Sequence, residues 1–154
     1  MFRISEVETD QELKTIRILF KEYTNWLGFD LSFQNFDKEF AELPGQYAPP
    51  KGRLLLAYED DEAVGCVGLR EFQDEICEMK RLYIKEQYRS KGYGRKLAEA
   101  IIAEARKIGY KYMRLDTVPW MKEAIGLYRS MRFYEIEAYR FNPIKGTLYF
   151  ELKL

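Results

Sequence analysis

Three apolar segments follow one another with almost nothing between them: RLLLAYE (53–59), AVGCVGLREF (63–72) and EICEMKRLYI (75–84). Each is bounded by turn-forming residues, DDE at 60–62 and QD at 73–74, the pattern of strands joined by tight turns. A link this short reverses the chain and leaves no room for a crossover. These strands are therefore antiparallel neighbours, and the middle of the chain is committed to a sheet.

The flanks alternate element types around that meander. FRISEVE (2–8) alternates as a strand. Thr9 and Glu12 form a capping box ahead of Leu13, Ile16, Phe20, Tyr23 and Leu27, which share one helical face, and Gly28 ends the helix. Phe33, Phe36, Phe40 and Leu43 predict a shorter helix closed by Pro44-Gly45, and QYAPPKG reads as a loop. Leu97, Ile101, Ala105 and Ile108 line a helix that Gly109 closes, and KYMRLDT (111–117) follows as a strand. Pro119 suits the first turn of a helix over 120–131, and FYEIEAY (133–139) and TLYFELK (147–153) finish as strands. The order predicts an α+β (mixed α/β) fold within one domain over 1–154, a largely antiparallel sheet with helices packed on it. The step from EICEMKRLYI through a helix to KYMRLDT has the form of a right-handed βαβ unit with parallel strands.

Composition removes whole classes of function. Lys+Arg and Asp+Glu are both 25, so no bulk positive charge argues for nucleic acid. No apolar run approaches the ~20 residues of a membrane span, and MFRISEVETD lacks a signal-peptide core; a cytoplasmic protein is expected. Cys66 and Cys77 sit inside strand patterns and are expected as reduced, buried thiols. The chain has no histidine, which excludes Ser-His-Asp and Cys-His chemistry. With two cysteines, no metal site is expected. Acid and base must come from Glu, Asp, Tyr, Lys, Cys or water.

One stretch is built for a ligand: EQYRSKGYGRKLAEAII, residues 86–102. Two glycines two apart lie among basic residues at the mouth of a helix. A helix N-terminus offers unpaired N–H groups and partial positive charge, and glycines let the backbone come close to a phosphate. A Walker loop is absent, and the third glycine of a dinucleotide fingerprint is replaced by Leu97. The pattern that fits is Arg-x-x-Gly-x-Gly, Arg89 to Gly94. With the MKRLYI strand before it and EAIGLYRSMRFYEI (123–136) after it, the chain resembles the GNAT superfamily of acyl-CoA-dependent N-acetyltransferases over nearly its whole length. The later segment is similar to the family's Ala-x-x-Leu-Tyr-x-x-x-Gly-Phe block. Two positions depart from it: Met121 stands where many members have Asn, and Arg132 where members usually have Gly, which asks a non-glycine for an unusual backbone conformation. A locally altered turn is expected there.

The resemblance implies a GNAT-like, mostly antiparallel twisted sheet of about seven strands with about four helices packed on both faces. It implies acetyl-CoA as co-substrate and no metal. It places the pyrophosphate on backbone amides of Arg89, Ser90, Lys91, Gly92, Tyr93, Gly94 and Arg95. The pantetheine arm lies along the backbone of Leu82, Tyr83 and Ile84, where its amides imitate a strand. It makes Tyr128 the general acid for the departing sulfur. Glu78 is the first candidate base, acting through water; its other reading is an ion pair with Lys80 or Arg81, and Glu75 and Asp116 are further candidates. The acceptor, an amine of a small molecule or peptide, is expected against Trp26, Phe29 and Tyr47. Expected, then, is acetyl transfer to a primary amine by direct attack; a non-catalytic CoA-binding module and a nucleotide-dependent phosphotransferase are the alternatives. The TLYFELK strand is a candidate edge for a homodimer.

Overall fold

The computed structural model describes residues 1–28 and 35–154. Phe29, expected against the acceptor, and Phe33, expected on the second helix, lie outside the described residues. The elements are β1 (Phe2–Glu6), α1 (Asp10–Leu27), α2 (Phe36–Glu42), β2 (Arg53–Glu59), β3 (Glu62–Gln73), β4 (Ile76–Ile84), α3 (Tyr93–Ile108), β5 (Tyr112–Thr117), α4 (Lys122–Ser130), β6 (Tyr134–Ile136) and β7 (Leu148–Lys153). The strands form one seven-stranded sheet in the order β1-β2-β3-β4-β5-β7-β6. All pairs are antiparallel except β4 with β5, so the βαβ step is present.

Local signals set the helix ends. Thr9 and Glu12 make both capping-box bonds, and Gly28 closes α1 at φ 77°; such a cap is worth about 1 kcal/mol. The apolar runs of the central strands are explained by burial on both faces. In β2, Leu54 and Leu56 join Ile16, Leu19 and Phe20 of α1, while Leu55 and Ala57 join Leu97, Ile101 and Ala105 of α3. Alternate residues point to opposite faces, so helices on both sides leave no polar face to alternate with.

Strand β4 is irregular on both of its sides. Gly68 pairs with Lys80 and Cys66 with Tyr83, so Arg81 and Leu82 together stand opposite Val67. This is a β-bulge, and Arg81 takes a left-handed conformation, φ 61°. On its other side β4 pairs with β5 only through Ile76, Cys77 and Glu78. Beyond Glu78 the two strands part, and the sheet opens between them.

Three expectations change. Helix α4 begins at Lys122, not at 120: Met121 is its N-cap at φ −83°, ψ 64°, and Pro119-Trp120 form the turn before it. Strand β6 covers only 134–136, because Tyr139 and Arg140 turn inward to bond Glu78. Strand β7 lies between β5 and β6, so it is no free edge for a dimer; the edge strands are β1 and β6. Arg132 itself adopts the left-handed conformation at φ 74°, at a cost of about 1–2 kcal/mol.

Candidate active site

The opening between β4 and β5 leads to a groove of about 770 Å³. Leu82, Tyr83 and Ile84 form one wall, Ser90, Gly92, Tyr93, Gly94 and Arg95 the floor, and α4 with Ala124, Leu127 and Tyr128 the other wall. Sequence thus brought nine of its ten coenzyme residues together; Arg89 also lines the groove, while Lys91 is not part of the lining and is exposed, its Nζ 5.4 Å from the Tyr88 ring.

The floor is the N-terminus of α3. Gly92 is its N-cap at φ 81°, with no side chain capping it, so no side chain of the cap occupies the first-turn N–H groups, and Gly92 to Arg95 line the groove. Ser90 is also left-handed, φ 67°, and two such residues around a turn shape a concave set of amides. Tyr93 contributes only backbone here. Its ring stacks on Phe2 at 4.1 Å and its hydroxyl donates to Glu59 at 2.5 Å. Arg89 is turned inward: its Nε donates to the Ile84 carbonyl at 2.8 Å, and its guanidinium lies 4.3 Å from the centre of Trp26. It braces the loop against α1. Trp26, expected against the acceptor, lines this groove instead, beside the residues expected for the coenzyme.

Tyr128 is buried, packed against Phe133 and Phe150. Burial pushes its hydroxyl well above the usual tyrosine range, which keeps the proton available for donation. Tyr128, Leu82 and Met121 line the groove and also a second, smaller cavity of about 50 Å³ behind it. That cavity is walled by Tyr23, Lys80, Arg81, Asp116, Thr117 and Asn142 among others. Asn142 Nδ2 donates to Asp116 at 3.4 Å while its Oδ1 accepts from Ile144 N at 2.9 Å, so Asp116 is held by a side chain that is itself held. Met121 Sδ accepts from the Thr117 hydroxyl at 3.9 Å. Lys80 is 5% exposed. Burial first, then Arg81, lower its pKa to about 7 against the pull of Glu78 and Asp116.

Glu78 has no exposed surface. Arg70 reaches its Oε1 at 2.9 Å, Arg140 its Oε2 at 2.5 Å, and the Tyr139 hydroxyl donates to Oε2 at 2.7 Å. Burial pushes its carboxyl up, but Lys80, Arg70 and Arg140 outweigh this and hold it below the usual range. A sealed carboxylate held by two guanidiniums is a poor proton acceptor. The ion-pair reading is the one its surroundings match, with Arg70 and Arg140 as the partners in contact. Beyond it a hollow of about 420 Å³ is lined by Glu39, Gln46, Tyr47, Arg70 and Arg140. Tyr47 is 1% exposed and joins the core under α1.

Lys80 and Asn142 line the smaller cavity and Glu39, Arg70 and Arg140 the hollow beyond Glu78, places that sequence reasoning did not give them. The signal for Lys80 was present, a charge two residues from Glu78 in an otherwise core-like strand. Asn142 and Arg140 lie in an irregular segment with no period to read. Among the described residues no group of three or more His, Cys, Asp and Glu is placed to hold a metal, and no helix is long and apolar enough to cross a membrane.

A strand pair splayed beside a helix N-terminus, with a buried tyrosine between two adjoining hollows, suits a coenzyme-dependent acyl transferase. Similarity to known proteins agrees. Residues 16–133 match the acetyltransferase (GNAT) family. An uncharacterized N-acetyltransferase of Schizosaccharomyces pombe is 39% identical, covering 98% of this chain and 94% of its own. Among solved structures, an acetyltransferase from Streptococcus agalactiae superposes with a TM-score of 0.80 at 20% identity, over 99% of this chain and 98% of its own. The PaiA N-acetyltransferase of Thermoplasma acidophilum, solved in complex with coenzyme A, does so with a TM-score of 0.78 at 18% identity, over 100% and 99%. The chain belongs to the GNAT family and is an N-acetyltransferase.

Proposed function

We propose that the enzyme moves an acetyl group from acetyl-CoA to a primary amine of a small molecule or peptide by direct attack. The observation that carries this reading is the shared wall: Leu82, Met121 and Tyr128 belong to both hollows. A thioester lying in the groove presents its carbonyl at that wall, and an amine in the cavity meets it there. The Thermoplasma neighbour of the same fold was solved in complex with coenzyme A, which supports a CoA thioester as the donor. The pyrophosphate rests on the amides from Arg89 to Arg95 and the pantetheine arm runs along Leu82 to Ile84.

The amine nitrogen attacks the carbonyl carbon, and the oxyanion takes a hydrogen bond from the Leu82 N–H. The C–S bond breaks, Tyr128 donates its proton to the departing sulfur, and the proton that the adduct's nitrogen sheds on becoming an amide returns to the tyrosinate. The acceptor must first lose a proton, which at pH 7 costs a lysine-like amine about 4–5 kcal/mol. Glu78 is sealed, so we assign the receiving side to Asp116, through water. Lys80 beside it disfavours a second ammonium and favours the neutral, attacking form. The test is an amine panel with acetyl-CoA and thiol detection. Amine-dependent thiol release is expected; a folded enzyme that binds CoA yet releases thiol with no class of amine overturns the reading.

A further inference from the structure

Arg81 sits at the bulge that immediately precedes the proposed oxyanion donor, in a backbone conformation side chains rarely adopt. Its guanidinium is 2% exposed. Nε and Nη2 donate to the two oxygens of Glu39, each at 3.0 Å, and the Phe36 ring lies 5.3 Å from its Cζ. Glu39 and Phe36 both come from α2, a helix of seven residues on the acceptor side of the sheet, and the Tyr23 ring of α1 lies farther off, 5.9 Å from the Arg81 Cζ. The peptide plane that carries the Leu82 N–H is oriented by the backbone of Arg81 and Leu82. The ladder between β4 and β5 has already ended at Glu78, so that neighbour does not fix the plane.

We propose that Glu39 and Arg81 are positioning residues: α2 grips the bulge through this bidentate pair and so aims the Leu82 N–H at the thioester carbonyl. Stability alone is a weak reason for such a pair, because a buried ion pair is often no better than apolar residues of the same volume. Bulges are found beside active sites, where they re-aim groups of the strand, and a forked pair fixes direction as well as distance. The inference rests on the acetyl-CoA reading of the groove, and it makes the acceptor-side helix part of the machinery that polarises the donor.

The test uses the full chain and acetyl-CoA labelled with 13C at the carbonyl. Isotope-edited infrared reads the carbonyl stretch of the bound thioester, calorimetry reads affinity, and turnover is measured with the best amine of the panel. Wild type is expected to lower the stretch relative to free acetyl-CoA. Glu39→Gln is expected to keep acetyl-CoA affinity and KM, to return the stretch toward the free value, and to lower kcat by about 10- to 100-fold, near or below the loss on removing an oxyanion donor. Glu39→Asp, which keeps the charge, should recover part of both. A Glu39→Gln enzyme with the wild-type stretch overturns the proposal, whatever its kcat. If that variant does not fold, Phe36→Leu, which loosens the ring packed on Arg81 and Phe40 and leaves Glu39 in place, decides: a smaller shift in the same direction supports the proposal and an unchanged stretch overturns it. Failure of wild type to bind acetyl-CoA at all would remove the underlying function instead.

Discussion

Gly94 offers a clean probe of where the coenzyme phosphates lie. It is the second residue of α3 and lines the groove. Its φ lies outside the left-handed range, and a Cβ built on it would meet nothing nearer than Leu127 Cδ2 at 4.0 Å. Gly94→Ala therefore neither strains the backbone nor clashes in the free protein, and Gly94→Val keeps a backbone conformation open to any side chain. Stability should hold or rise, by less than the ~1 kcal/mol separating Gly from Ala inside a helix. Gly92 is the poorer probe, since its φ of 81° would strain any replacement. What the valine removes is the space through which a phosphate reaches the first-turn amides. A hydrogen bond to a charged group contributes about 1.5–3 kcal/mol, so losing one weakens CoA binding roughly 10- to 150-fold. Gly126→Ala is the matched control. Gly126 lies in α4, is exposed and outside the groove lining, and its Cβ would meet nothing within 4 Å. It should gain about 0.5–1 kcal/mol with CoA affinity unchanged. Calorimetric titration with CoA and thermal melts of all three read both effects. A folded Gly94→Val protein with wild-type CoA affinity would refute the assignment of the pyrophosphate to α3.

Tyr128→Phe keeps the ring packed on Phe133 and Phe150, so CoA affinity should hold while kcat falls roughly tenfold to a thousandfold; normal turnover would clear the tyrosine of its role. Burial pushes both thiols up, Cys77 to about 12, so replacing both cysteines by alanine should leave turnover near wild type. An acetyl-cysteine formed and discharged at a competent rate would overturn direct attack. Lys80→Met tests the buried amine through pH. With a folded pKa of about 7 against an ordinary 10.5, Lys80 is charged in both states below pH 7, and the fold there bears the whole cost of burying the charge. From pH 7 to 10.5 the unfolded chain alone holds the proton, and stability climbs as that advantage fades. The methionine variant should gain most at pH 6, at most about 5 kcal/mol, and much less at pH 9.5. An equal shift in melting temperature at both pH values would contradict this.

The elements were legible because their causes are local. Thr9 and Glu12 are three residues apart, Gly28 and Gly109 close their own helices, and the turns at 60–62 and 73–74 force β2, β3 and β4 into a meander. The glycine loop was legible for the same reason, since amides at a helix mouth bind anions wherever the helix sits. Sequence also named Tyr128 and the wall from Leu82 to Ile84, through a resemblance that spans the chain. It did not show that β7 would insert between β5 and β6. Nor did it show that Arg70, Arg140 and Tyr139 would converge on Glu78, the last two from 62 and 61 residues away. A carboxylate on a strand reads equally well as base or as ion-pair partner. Which it becomes depends on what the rest of the chain places within 3 Å and on whether water can reach it. Those are decided when the sheet closes and burial makes each unpaired charge costly, and no spacing within one strand carries that information.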